Sequence, residues 1–264
     1  MRICVLGSGS KGNSTYIEGD NTKILIDGGL SKLELEKRLN AIGVNPSEIN
    51  SILITHEHSD HIAGIANFSK KYGCKIYAHK DIWPVLSNKF EKTPFENQIE
   101  FSGLDFNINE LNISTMDLDH DSIHCVGFSV EHNKTKFSIA TDLGHTTPQI
   151  IKTLSNSDLV VLEANHDIKK LNANPHYPNS LKRRILSDHG HLNNQSTADA
   201  IIQLLGKKTR GIILGHLSEE NNTPELAIDT IKNTFIKNGA IVEREIRIDI
   251  AKQTRPSTIY KIKE

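Results

Sequence analysis

Thr55-His56-Glu57-His58-Ser59-Asp60-His61 directly follows the apolar run Ser51-Ile52-Leu53-Ile54, so four ligand-type side chains fall within six residues at the end of a buried strand. Packing imidazoles and a carboxylate so closely is costly without a cation, because each must be desolvated and given hydrogen-bond partners. Divalent ions instead take nitrogen and oxygen ligands directly, at about 2.0 to 2.2 Å. One ion cannot easily use all four from one tight turn. The spacing therefore points to two ions, with His56 and His58 facing one and Asp60 and His61 the other.

Further ligand candidates occupy similar settings downstream. His120 follows Asn112 to Leu118, Asp142 follows Phe137 to Thr141, and His216 follows Gly211 to Gly215. Ligands at the same ends of neighbouring strands converge on one sheet edge, where α/β proteins tend to place their sites. Histidine is abundant, at 13 of 264 residues. His79, His124, His132 and His145 read as ordinary surface or core residues. His166 ends a strand-like run as the ligands do, and Asp188-His189-Gly190-His191 precedes a helix starting near Asn194. Both groups are expected beside the ligands or on a phosphate.

Other strand-like runs are Ile3 to Leu6, Lys23 to Asp27, Lys75 to Ala78, Val126 to Glu131, Leu159 to Glu163 and Ile246 to Ile250. Helical spacing marks Ser31 to Ala41, Ile62 to Tyr72, Thr147 to Leu154 and Ser196 to Leu205. Thr223 to Asn238 has a cap, a proline in the first turn and Gly239 just past its end. No linker or repeat divides the chain, so residues 1–264 read as one α/β domain.

Composition narrows the class. The 31 basic and 32 acidic residues net −1, which argues against a polycation. No apolar run nears the ~18 residues of a membrane span, and the opening Met1 to Gly7 breaks before a signal-peptide core forms. The expected location is the cytoplasm, with no membrane partner. Cys4, Cys74 and Cys125 are widely spaced and suggest reduced thiols with no disulfide partner. Charge is uneven, however: residues 165–215 net +5, with Lys182, Arg183 and Arg184 adjacent, which could put a basic face beside the metal edge. Gly7-Ser8-Gly9-Ser10-Lys11-Gly12-Asn13-Ser14 could offer backbone N–H groups to an anion, or be a plain hairpin turn.

The pattern His-x-His-x-Asp-His at 56–61, followed by His120, Asp142 and His216, resembles the metallo-β-lactamase fold. That resemblance implies a four-layer αββα sandwich. It also implies His56, His58 and His120 on one ion, Asp60, His61 and His216 on the other, and Asp142 bridging. The loop at 7–14, Glu163-Ala164-Asn165-His166-Asp167, Gly190-His191-Leu192 and Gly215-His216-Leu217-Ser218 are similar to the YycJ/WalJ group, with Asn193 standing where those proteins generally carry Ser. This implies a binuclear metal-dependent phosphodiesterase, a 5′-to-3′ exonuclease on DNA rather than RNA, with a metal-bridging hydroxide as nucleophile. Asp60, Asp142, His191 and His166 are its expected catalytic residues. Ser10, Gly12, Asn13, His189, His191 and Arg183 are expected phosphate contacts. Histidine-rich ligation suits zinc and also admits manganese or iron. The alternatives are hydrolysis of a small phosphodiester, thioester or lactone on the same core, or a non-catalytic metal-stabilised module that binds nucleic acid or a partner.

Overall fold

The computed structural model describes residues 1–91, 93–239 and 246–263. The chain first builds β1 (Arg2–Gly7), β2 (Ser14–Glu18), β3 (Lys23–Ile26), α1 (Lys32–Ala41), β4 (Ser51–Leu53), α2 (Ser59–Ile62), α3 (Ile65–Tyr72), β5 (Lys75–His79), α4 (Trp83–Leu86) and β6 (Gln98–Phe101). Then come β7 (Asp105–Ile108), β8 (Leu111–Leu118), β9 (Cys125–His132), β10 (Thr135–Ala140), α5 (Pro148–Ser155), β11 (Leu159–Glu163), α6 (Ile168–Ala173), α7 (Asn179–Ile185), α8 (Asn194–Leu204), β12 (Gly211–Gly215), α9 (Pro224–Lys237), β13 (Arg247–Ile250) and β14 (Tyr260–Lys261).

Two seven-stranded mixed sheets result, ordered β14-β1-β2-β3-β4-β5-β6 and β13-β12-β11-β10-β9-β8-β7. Strands β3 to β6 run parallel in the first, and β10 to β13 in the second. Parallel strands need helical crossovers, which cover the outer faces. The core accordingly has three parts. Ile3, Val5, Ile24, Phe128, Phe137 and Val161 fill the space between the sheets. Leu35, Leu39, Ile65 and Phe68 pack α1 and α3 on the first sheet, and Ile150, Leu154, Ile201, Ile231 and Phe235 seat α5, α8 and α9 on the second. The result is the expected αββα sandwich.

Differences from the sequence reading have local causes. The expected helix Ile62 to Tyr72 is two helices, because Gly64 sits against the chain near Leu30: a Cβ there would lie 2.0 Å from the Leu30 carbonyl oxygen. Strands β2, β6, β7 and β14 and the short helices α4, α6 and α7 complete the fold without having stood out in the sequence. Helix α8 starts at Asn194 because the Asn193 side chain accepts from the backbone N–H of Gln195 and Ser196, which is the capping a serine would supply. The +5 segment does not form one basic face. Lys207, Lys208 and Arg210 precede β12, at the strand ends opposite His216, and Lys208 pairs there with Asp158.

At that opposite end a carboxylate pins the sheets together. Glu110, in the β7–β8 turn, accepts from the N–H of Asn21 and Thr22 and from the Thr22 hydroxyl in the β2–β3 turn. Burial opposes its charge, but the hydrogen bonds outweigh burial and hold the carboxyl down at about 2. A depressed folded-state pKa contributes stability above the unfolded value of about 4.3 and loses it as pH falls toward the folded value. Glu110→Ala should therefore lower the unfolding free energy at pH 7 by roughly 1–3 kcal/mol. In denaturant titrations the gap from wild type should shrink steadily below about pH 4.3. A gap independent of pH would contradict the assignment.

Candidate metal centre

The ligand candidates converge at the carboxyl-terminal edge of both sheets. His56 and His58 follow β4, Asp60 and His61 lie in α2, His120 follows β8, Asp142 follows β10 and His216 follows β12. The donor atoms fall into overlapping groups: His56, His58 and His120; Asp60, His61 and His216; and His56, His61 and Asp142. His56 and His61 are the members these groups share, and Asp142 sits among them, with carboxylate oxygens 3.2 Å from His61 Nε2, 3.3 Å from His216 Nδ1 and 4.0 Å from His120 Nε2. The backbone bends sharply to deliver these side chains. Asp142 and His216, together with Asp27 after β3, adopt left-handed conformations with φ of 64°, 54° and 60°.

Outer contacts aim the imidazoles. His61 Nδ1 lies 2.8 Å from Asp27 Oδ2, and Asp27 also receives the Thr55 N–H and hydroxyl. His56 Nδ1 meets the Thr55 hydroxyl at 3.0 Å, His120 Nδ1 the Gly190 carbonyl at 3.2 Å, and His216 Nδ1 Glu163 Oε1 at 2.8 Å. Carbonyl and carboxylate partners favour a proton on Nδ1 of His61, His120 and His216, so that each ring, when neutral, turns the Nε2 lone pair inward.

Several of those inward atoms lack partners. His56 Nε2, His216 Nε2 and Asp142 Oδ2 are buried without a hydrogen bond. Orphaned acceptors of this kind are costly in a protein interior, and divalent metal binding would satisfy them. The donor set thus fits metal binding. It also leaves room for a substrate: His58 is half-buried, and a cleft lined by His58, Asp60, Asp142 and His191 opens to solvent.

Glu163 is the functional residue the sequence reading passed over. It is fully buried at the end of β11, and its Oε1 lies 2.8 Å from Nδ1 of both His216 and His191. Its Oε2 accepts from the N–H of Leu143 and Leu192. Burial raises its pKa, but the two imidazoles prevail and keep the carboxyl at about 2. Asp27 was likewise passed over. Both stand at the carboxyl ends of buried strand-like runs, the same signal that marks the ligands.

The remaining expected residues separate. Ser10 and His191 line the cleft, and Arg184 lines it where Arg183 was expected. Arg183 and His189 are exposed and are not among the cleft-lining residues. Arg184 Nε donates to Asp121 Oδ2, while Asp121 Oδ1 lies 3.3 Å from His120 Nε2. His166 is buried away from the cleft, neither ring nitrogen is bonded, and burial pushes its pKa down to about 4. Most N–H groups of the 7–14 loop are already engaged: those of Ser8, Gly9, Lys11, Gly12 and Asn13 have acceptors within the protein, on Lys252, Asn13, Gln253, Gly9 and Asp60. Asn13 instead donates to Asp60 Oδ2 and contacts His61 Nε2 at 3.0 Å. Ser8 also serves a ligand, its hydroxyl accepting from the His216 N–H.

Residues 7–216 match the model of the Metallo-beta-lactamase superfamily. Exodeoxyribonuclease WalJ of Streptococcus pneumoniae serotype 2 (strain D39) is 37% identical over 238 residues, covering 88% of this chain and 87% of its own length. Exodeoxyribonuclease YycJ of Bacillus anthracis is 31% identical over 263 residues, covering 99% of each. The metallo-beta-lactamase fold protein YhfI of Bacillus subtilis superposes with a TM-score of 0.70 at 16% identity, over 97% of this chain and 99% of YhfI, and so shares the fold. With the family model covering most of the chain and relatives matched along nearly its whole length, the chain belongs to the Metallo-beta-lactamase superfamily, beside WalJ and YycJ, and is a metal-dependent hydrolase.

Proposed function

We propose that the protein is a binuclear phosphodiesterase that removes nucleotides from the 5′ ends of DNA. In this reading His56, His58 and His120 hold one ion, Asp60, His61 and His216 the other, and Asp142 spans both. When bound, the ions supply Lewis-acid polarisation of the phosphate and a nucleophile at neutral pH. Zinc or manganese suits the mixed nitrogen and oxygen donors. The DNA substrate is supported by the names of the curated relatives, and the 5′ polarity by resemblance to the YycJ/WalJ group.

The observation that carries the reading is the Glu163 bridge between His216 and His191. His216 belongs to the ligand set, whereas His191 presents its ring to the cleft and is held there by a fully ionised carboxylate. Cleaving a phosphodiester expels a sugar alkoxide, a poor leaving group that needs a proton as the bond breaks. A thiolate needs none, so an oriented imidazole suits phosphodiesters better than thioesters. His191 would donate that proton from the ring edge opposite Nδ1, with Glu163 positioning the ring. Arg184, free to exchange Asp121 for a phosphate oxygen, would steady the chain beside it. Asn13 and Asp27 act one layer out, orienting Asp60 and His61.

A time course on 5′- and 3′-labelled single- and double-stranded DNA, with matched RNA and either Mn²⁺ or Zn²⁺, tests the reading. Stepwise loss of nucleotides from the 5′ end of DNA is expected, and Asp142→Ala should abolish it. Turnover of a thioester or a small phosphodiester alone, with intact nucleic acid under every metal, would discard the nuclease. His191→Ala should reduce turnover by about 10²- to 10⁴-fold while metal content, read by elemental analysis, stays at the wild-type level. Asp27→Ala has the opposite signature. Metal affinity should fall by roughly 10- to 100-fold, with activity recovering as metal is added.

A further inference from the structure

A second set of ligand-type side chains gathers away from the cleft, where the two sheets meet. His79 ends β5 and Asp81 follows it, both from the first sheet, while His124 immediately precedes β9 and Asp117 lies near the end of β8, in the second. The rings of His79 and His124 lie face to face, with centroids 3.8 Å apart and planes within 8°. Both turn Nδ1 toward the same oxygen of Asp81, at 3.3 Å from His79 and 3.8 Å from His124. The Asp81 backbone N–H donates to His79 Nδ1 at 3.4 Å, so that nitrogen is an unprotonated acceptor facing the notch, and a metal would take it over from this long hydrogen bond.

The surroundings favour ligation over an ordinary ion pair. Burial, and next the neighbouring His124, lower the pKa of His79 and keep it the neutral imidazole that binds metals. On the far side of His124, Nε2 lies 3.3 Å from Asp117 Oδ1. That is the carboxylate-imidazole arrangement that orients a histidine toward an ion through its other nitrogen. Asp81 is half exposed, so water can complete a coordination shell. Parallel rings cannot both point their lone pairs at one centre, but the last side-chain torsion of histidine is soft, and a small rotation of each ring brings the two nitrogens together.

We propose that His79, Asp81 and His124 form a site for a divalent transition-metal ion, separate from the cleft, that ties the two sheets together at their rim. Two imidazoles select zinc, nickel or copper over the all-oxygen preference of magnesium and calcium. An ion that binds the folded chain and not the unfolded one stabilises the fold in proportion to its concentration.

The test is a Zn²⁺ titration of the full chain after chelator stripping, comparing wild type with His124→Gln and Asp81→Asn. Wild type should bind about one ion more per chain than either variant, and its melting temperature should rise further with added Zn²⁺. The same difference of about one ion should persist when all three proteins carry Asp142→Ala. Equal stoichiometry in wild type and both variants would overturn the site. A difference that disappears in the Asp142→Ala background would also overturn it, by placing the extra ion in the cleft.

Discussion

A buried Asp142 carboxylate, ringed by imidazoles of His61, His120, His191 and His216, is the constraint around which the protein is organised. Within that cluster His56 Nε2, His216 Nε2 and Asp142 Oδ2 are buried without a hydrogen bond. A divalent cation would satisfy these atoms, and holding one requires strands from two sheets to end at one level. The backbone bears the cost in the left-handed conformations of Asp27, Asp142 and His216, each of order 1–3 kcal/mol. Such strain persists only where the surroundings over-determine it. The sandwich core and the far-end clamp at Glu110 provide that rigidity.

Positioning extends one layer beyond the ligands. Asp27, Thr55, Glu163 and the Gly190 carbonyl each take one edge of an imidazole and thereby decide what the other edge offers. The 7–14 loop belongs to this layer. The N–H groups of Gly9 and Gly12 close its own turn, those of Ser8, Lys11 and Asn13 tie it to Lys252, Gln253 and Asp60, and the Ser8 and Asn13 side chains reach His216, Asp60 and His61. A glycine-rich stretch beside a metal centre therefore serves as a bracket for the ligands, with Ser10 as its cleft-lining residue. Gly29 shows how tight the bracket is, because a Cβ there would come within 1.6 Å of the Asp60 carbonyl oxygen.

The strands that end in the converging ligand candidates were legible because each couples an apolar β-branched run to an ionisable residue at its end, a pattern that survives without knowing the partners. Strand β2 escaped notice because Ser14-Thr15-Tyr16-Ile17-Glu18 continues a polar Gly/Ser stretch, and its burial comes from neighbours on both sides. Gly64 breaks a continuous helical period for a reason that exists only in three dimensions, the approach of the Leu30 carbonyl. Glu163 and Asp27 look like the last residues of ordinary strands until their imidazole partners are known. Charge misleads for a related reason: Lys182 and Arg184 sit 24 or more residues from Lys208 and Arg210 along the chain, and β12 carries the latter pair to the other end of the sheet.

That separation bears on how a polyanion would be attracted. The chain nets −1, Lys11 is paired with Glu219, and Arg184 is occupied by Asp121. Asp60, Asp121 and Asp142 line the same cleft, and their carboxylates oppose an incoming phosphate. Divalent cations would add positive charge at the convergence of the ligand candidates and reverse that opposition. Metal loading would then set affinity as well as reactivity, since the ions that activate the attack are also the charges that draw the substrate in. The exchange of Asp121 for phosphate at Arg184 would follow from the same reversal, because a carboxylate beside His120 gains a nearby cation of its own when the centre fills.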